Sequence, residues 1–459
     1  MKKNIFIAFA FFVCNSFAQK NQTQWPLPTK QQLQWQQSEF WLFAHFGPNT
    51  FTDLEWGKGT EHEEVFNPTN LDCKQWCKIA KAAGAKGIII TAKHHDGFCL
   101  WPSKYSTHTV RESKWRNGKG DVLKELSEAC KEYGLKFGVY ISPWDRNHPK
   151  YGTPEYNDVF VNMMKEVLTN YGTVTELWWD GANGEGPNGK KQVYDWNRFI
   201  KTVREISPTT VVFSDLGPDI RWVGNENGIA GTTNWNLLDT VGFKPGAAAP
   251  STDTLNTGNV YGKNWIPAEC DVSIRPGWFY HATENEKVKS AQQLFNLYVK
   301  SVGRGANLLL NVPPNQNGLF DAHDSASLVA FKKLRDDNFK NDLLKHAMAQ
   351  MNKERTNKTD DKKTQVSNLF LLKEPVLMNC IVLKEDFENG QTIKKAEIHV
   401  SKHGIEIKKI DITTVGSKRI ITFPKEEVTE ISVVITSAKS KPHLKSVEAY
   451  LIDESLVEK

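Results

Sequence analysis

The chain has 459 residues, of which 39% are hydrophobic and 24% charged, and a formal net charge of +5. That length suits one large folded domain plus a smaller one, and the composition excludes a disordered or fibrous chain. With so mild a charge and no stripe of Lys and Arg interleaved with aromatics, nucleic acid has no support as a partner. The 15 tryptophans stand out. Indole offers a flat apolar face and one N–H donor, which suits the C–H faces of sugars as well as ordinary core packing.

At the N-terminus, Lys2 and Lys3 precede an apolar run at 5–13 and then Ser16-Phe17-Ala18. This is the pattern of a secretion signal, too short to span a bilayer. Residues 1–18 are therefore expected to be cleaved, giving an exported periplasmic or extracellular protein without stable membrane insertion. Cys14 leaves with that segment. The other six cysteines (Cys73, Cys77, Cys99, Cys130, Cys270 and Cys380) are too scattered for a disulfide framework and read as small buried apolar residues.

From 37 to about 339, short apolar segments alternate with longer amphipathic ones. Strands are predicted at 40–46, 87–92, 137–142, 176–180, 211–214, 266–271 and 307–312, with a further one near 278–280. Helices are predicted at 73–83, 122–133, 158–171, 193–206 and 286–302, where apolar residues recur every three or four positions. Gly84, Gly134 and Gly172 fall where three of these helices should stop. Strands separated by helices pair in parallel, and about eight such units match a closed (β/α)8 TIM-like barrel. That catalytic barrel is assigned to 19–344. Polar residues at successive strand ends (His45, Lys93 to Asp96, Tyr140 to Asp145, Asp180) fit a barrel, which brings such ends to one mouth. Further on, the polar stretch 351–365 reads as a linker. Alternating segments at 369–372, 379–384, 396–401, 405–413, 419–423, 430–436 and 446–452 predict an antiparallel β-sandwich over 345–459.

Glu176-Leu177-Trp178-Trp179-Asp180-Gly181 ends an apolar strand in a carboxylate beside aromatics. Asp180 there could attack an anomeric carbon as a glycosidase nucleophile, or simply cap the next turn. A glycosidase needs a second carboxyl group to protonate the leaving oxygen. Glu226, in the loop Arg221-Trp222-Val223-Gly224-Asn225-Glu226, is the leading candidate; Glu269 is the alternative acid/base and Glu185 the third. Taken alone, each of these glutamates reads more readily as a solvated loop charge. Arg221 is expected to order nearby carboxylates. Adjacent His94 and His95 in an extended segment should point to opposite sides, so with Asp96 they make a poor metal site. Imidazoles of His45, His94 and His95 that hydrogen-bond sugar hydroxyls fit better. Glu55 and Trp56 add one acceptor and one aromatic plate. The pattern calls for no metal and no cofactor.

Several runs combine into one resemblance: Phe43-Ala44-His45-Phe46-Gly47, Glu55-Trp56, Lys93-His94-His95-Asp96-Gly97-Phe98, Gly138-Val139-Tyr140-Ile141-Ser142, Trp178-Trp179-Asp180-Gly181 and 307–314. Over about 35–336 the chain resembles the catalytic domain of the α-L-fucosidases of glycoside hydrolase family 29. The resemblance implies a retaining exo-α-L-fucosidase acting on a fucosylated oligosaccharide or glycoconjugate. It puts Asp180 at the nucleophile position, and His45, Glu55, Trp56, His94, His95, Tyr140 and Trp178 at positions that hold fucose. Residues 221–226 and 273–281 resemble the subgroup that prefers α-1,3/1,4-linked fucose. That likeness makes Glu226 the acid/base and sets Trp278 against the C5 methyl of the sugar. The competing reading is a lectin-like protein that binds fucose but turns it over weakly or not at all; a metal-dependent hydrolase is more distant.

Overall fold

The computed structural model describes residues 25–356 and 364–456. The candidate signal segment 1–18 lies outside them. No helix among the described residues is long and apolar enough to cross a membrane.

Eight strands close into a barrel: β1 (Phe40–Ala44), β2 (Gly87–Lys93), β3 (Lys136–Ile141), β4 (Val174–Trp178), β5 (Val211–Ser214), β6 (Ile220–Trp222), β7 (Ala268–Ser273) and β8 (Asn307–Asn311). Every neighbouring pair is parallel, and β8 returns to β1 with Trp41 beside Leu309. The expected fold is therefore present, with one exchange of strands. Strand β6 lies where a loop was expected, because three residues carry no readable period. The segment 278–280, expected as a strand, is loop.

Helices α1 (Cys73–Ala83), α2 (Val122–Tyr133), α3 (Tyr156–Asn170), α4 (Trp196–Ile206), α5 (Ala291–Lys300) and α6 (Ala322–Asn338) surround the barrel. All of them except α3 start at a side-chain cap. The Asp72 carboxylate accepts from the N–H groups of Lys74 and Gln75, Asp121 and Asp195 do likewise, and Ser290 forms a capping box with Gln293. Gly84 and Gly134 end α1 and α2 at φ +76° and +70°, a conformation that favours glycine. No helix separates β5 from β6. The long 223–267 connection holds only the six-residue helix Thr252–Thr257 and a two-stranded ribbon. The eight repeated units expected from sequence are thus eight strands with six long helices.

Alternation along each strand decides what faces inward. On β1, Trp41 and Phe43 fill the barrel interior while Phe40, Leu42 and Ala44 pack against helices. On β4, Trp178 faces in, whereas Leu177 and Trp179 face out. Trp35, just before β1, plugs the interior from below and donates its indole N–H to Glu176 at 2.7 Å.

Beyond α6 the chain forms β9 (Met348–Thr356), β10 (Thr364–Glu385), β11 (Ile393–Lys402), β12 (Ile405–Ile412), β13 (Arg419–Ala438) and β14 (Leu444–Tyr450), all antiparallel. Strands β10 and β13 are long, and their pairing slips between Leu371 and Val376 and again between Met378 and Cys380. Each therefore contributes one half to each layer of the sandwich. The predicted pairs of segments 369–372 with 379–384, and 419–423 with 430–436, are the two halves of these strands. The expected linker 351–365 is instead strand on both flanks, reaching Thr356 and resuming at Thr364. Sandwich residues Cys380, Val382, Ile420 and Tyr450 join the outer core of the barrel, while Met378, Ile381, Ile398 and Val433 belong to a separate core of the sandwich's own.

Candidate active site

A cavity of about 300 Å³ opens where the strands end. Strand β1 supplies Phe43 and then His45, and the loop after it Glu55 and Trp56. His94 and His95 come from the end of β2, Tyr140 from β3, and Trp178 and Asp180 from β4. Phe213 and Asp215 come from β5, Trp222 and Glu226 from β6 and its loop, Asp271 from β7, and Trp278 from the loop beyond.

Asp180 follows the inward-facing Trp178 by two residues, so the same alternation aims it at the mouth. Each of its oxygens has one donor: the Ala182 N–H at 2.7 Å and the Tyr140 hydroxyl at 3.0 Å. Together they fix the plane of the carboxylate. His95 Nε2 stands 3.7 Å from Asp180 Oδ2. The other nitrogen of His95 meets Ser142 Oγ at 2.8 Å, and that hydroxyl already donates to the Trp144 carbonyl. Nδ1 must therefore carry the proton, leaving Nε2 as a bare acceptor beside Asp180, open to a hydroxyl donor.

His45 is fixed by the same logic. Asn311 on β8 donates through Nδ2 to the Trp278 carbonyl at 2.7 Å, so its Oδ1 is the atom that meets His45 Nδ1 at 2.8 Å. His45 thereby keeps Nε2 as an acceptor. Burial holds the His45 imidazole down at about 3. Burial also holds His95 at about 4, against the opposing pull of Asp180, and His94 well below its ordinary value. The three rings are neutral acceptors and donors at working pH.

Glu226 accepts from the indole N–H of Trp278 at 3.3 Å. The Trp278 loop is itself held by Glu55, which accepts from the N–H groups of Trp278 at 2.7 Å and Phe279 at 3.1 Å and meets His281 Nε2 at 2.7 Å. Glu55 lines the cavity, but much of its accepting capacity anchors this loop.

Of the residues singled out in the sequence, His45, Glu55, Trp56, His94, His95, Tyr140, Trp178, Asp180, Glu226 and Trp278 meet in the cavity. His94 and His95 do so together, their rings 4.2 Å apart, because β2 ends at Lys93 and the chain bends there instead of staying extended. Three candidates lie elsewhere. Glu185 is exposed in the loop after β4, where its carbonyl accepts the Trp144 indole N–H at 3.0 Å, and does not line the cavity. Glu269 is buried beneath Trp178, whose indole N–H it accepts at 3.0 Å, and does not line the cavity. Arg221 is buried on the outer side of β6, where it donates to the carbonyls of Leu255 and Ile266 and to Asn234; it orders the 223–267 connection, not the carboxylates. Among the lining residues not foreseen are Asp215, Trp222 and Asp271. Asp215 directly follows β5 and was open to the same strand-end reasoning as Asp180. Asp271 stands two residues after Glu269 and shares its inward face.

The family model for α-L-fucosidase matches residues 5–333. The chain belongs to the α-L-fucosidases of glycoside hydrolase family 29. Alpha-L-fucosidase 1 of Arabidopsis thaliana is 41% identical over 449 residues, covering 93% of this chain and 88% of that protein. A glycoside hydrolase 29 member from an unknown rumen bacterium superposes with a TM-score of 0.86 at 40% identity, over 94% of this chain and 78% of that one. A Ruminococcus gnavus glycoside hydrolase 29 fucosidase, solved in complex with fucose, superposes at 0.84 with 28% identity, over 94% and 96% of the two chains. The cavity suits an α-L-fucosidase electrostatically. Its lining holds Glu55, Asp180, Asp215, Glu226 and Asp271 but no Lys or Arg, so positive charge developing on a sugar ring meets no opposing cation.

Proposed function

We propose that this α-L-fucosidase is a retaining enzyme in which Asp180 attacks the anomeric carbon of fucose and Glu226 protonates the leaving oxygen. Glu226 then takes a proton from the water that releases the covalent fucosyl-enzyme. The observation that carries this reading is the shared cavity. Asp180, fixed by Tyr140 and Ala182, and Glu226, linked to Trp278, line the same hollow, and Glu269 does not. His45 and His95 present bare Nε2 atoms to sugar hydroxyls, and the Trp278 indole faces the C5 methyl. The fucose bound by the Ruminococcus gnavus relative supports the same sugar here. A preference for α-1,3/1,4 linkages on branched glycans, and export to the periplasm or beyond, belong to this proposal through the motifs at 221–226 and 273–281 and the 1–18 segment. The lectin-like alternative is not favoured, since the relatives are hydrolases by name.

Asp180→Ala should abolish turnover, and external azide should restore it as a fucosyl azide of inverted configuration. Loss without rescue removes Asp180 from the nucleophile role. Glu226→Ala should lose far more activity on natural glycans than on aryl fucosides with good leaving groups; equal losses would remove Glu226 as the acid. A panel of α-1,2-, 1,3-, 1,4- and 1,6-fucosylated oligosaccharides tests the linkage preference.

A further inference from the structure

Asp271 is a carboxyl group that the two-residue mechanism leaves without a task. It stands on β7 with its side chain in the cavity lining, and Oδ1 accepts the indole N–H of Trp222 at 2.9 Å. No hydrogen bond among the described residues engages Oδ2. Asp180 and Glu226 line the same cavity, and each repels charge on Asp271. From β8 the neighbour in register is Leu309, and on its own strand Glu269 lies two residues deeper. The guanidinium of Arg221, on neighbouring β6, is committed to Leu255, Asn234 and Ile266 on the outer side. Asp271 is thus a buried acid sharing a cavity with two other acids, with the Trp222 indole and its own backbone N–H as donors and no cation to hold a negative charge.

We propose that Asp271 is a third substrate-contacting carboxyl group, working as an uncharged hydrogen-bond donor from Oδ2 to a sugar oxygen in the cavity that Asp180 and Glu226 also line. Burial, reinforced by Glu226 and Asp180, holds the carboxyl well above its ordinary range, which agrees with that geometry. A carboxylate at this position could only accept, and would add negative charge to the cavity that already holds the Asp180 carboxylate. A neutral acid donates, and leaves Asp180 free to ionise. The inference rests on the proposed roles of Asp180 and Glu226.

The test uses the full-length enzyme and an aryl α-L-fucoside with a good leaving group, which needs no acid from Glu226. In a Glu226→Gln background the alkaline loss of kcat/KM then reports Asp271. Asp271→Asn, which keeps a donor and cannot ionise, should flatten that alkaline limb and hold KM within a few-fold. Asp271→Ala should raise KM by about tenfold or more. Isotope-edited infrared spectra should also lose a protonated-carboxyl band in the Asn variant, a readout that orientation of Trp222 alone would not move. An unchanged alkaline limb in the Asn variant, or an Ala variant with parental KM, would overturn the proposal. Should Asp271→Ala not fold, the Asn titration and infrared band decide alone. The Asp180→Ala azide experiment fails or succeeds separately, so collapse of the nucleophile assignment is distinguishable from collapse of this one.

Discussion

Asp180 makes only short-range contacts, yet they determine what it can do. The Tyr140 hydroxyl holds one carboxylate oxygen and stacks its own ring on Trp178, at 5.2 Å between centroids. Tyr140→Phe keeps the stacking and removes the donor. It should lower kcat/KM by about ten- to a hundredfold with little change in the unfolding temperature, measured by steady-state kinetics and thermal denaturation. Deeper in the barrel, Glu176 is pushed up to about 8 by burial, while Glu269 is pushed well up by burial and by Glu176 beside it. The two carboxyl groups share a hydrogen bond, which one of them must supply as a protonated acid. A folded-state value above the unfolded one of about 4.5 means that the fold keeps a proton the unfolded chain releases. Its stabilising effect is complete below about pH 4.5 and is lost as pH rises toward 8. Glu176→Gln, which can still accept from Trp35, should therefore gain stability over the parent progressively across that interval, at up to about 1.4 kcal/mol per pH unit. Equal melting profiles for the two proteins across that interval would contradict this. Asp180 itself was legible in the sequence from a strand ending in a carboxylate, whereas the Glu176–Glu269 contact was not, because 93 residues separate partners that only barrel closure brings together.

The elements explain why the cavity has its shape. Helix boundaries were largely legible: α1 and α2 run between an Asp cap and a left-handed glycine, both local signals. Strand β6 and the loop after β7 were not, since neither carries a period. That loop depends on a close approach. A Cβ added at Gly277 would lie 2.6 Å from Glu55 Oε1, the atom that accepts from the Phe279 N–H. Gly277→Ala should push Glu55 away, shift Trp278 and with it Glu226, and lower kcat/KM by tenfold or more, on the order expected for a small misplacement of the proposed acid. Parental kinetics in this variant would show that Trp278 is positioned by something else.

Across the whole molecule, the sandwich is bound to the connection that carries Glu226. Gln391 donates to the Asn234 carbonyl at 2.9 Å and accepts from the Asn236 N–H at 2.7 Å, and Thr414 Oγ1 accepts from the Asn234 N–H. On its other side Asn234 meets Arg221. Gln391→Ala leaves two buried backbone groups unpaired, at a cost of roughly 1–3 kcal/mol. The melting temperature should fall by a few degrees in calorimetry, and an unchanged value would mean that water replaces the side chain.

The sequence by itself determined which residues could form strands, helices and caps, because those choices depend on neighbours within a turn or two. It also carried the motifs by which Asp180, Glu226 and the histidines were found. Only the tertiary structure decided which side chains meet. The inward face of each strand is set by closure of the barrel, and that closure buried Glu269 beneath Trp178, turned Arg221 outward, brought His94 and His95 into one cavity, and set Asp271 among the acids.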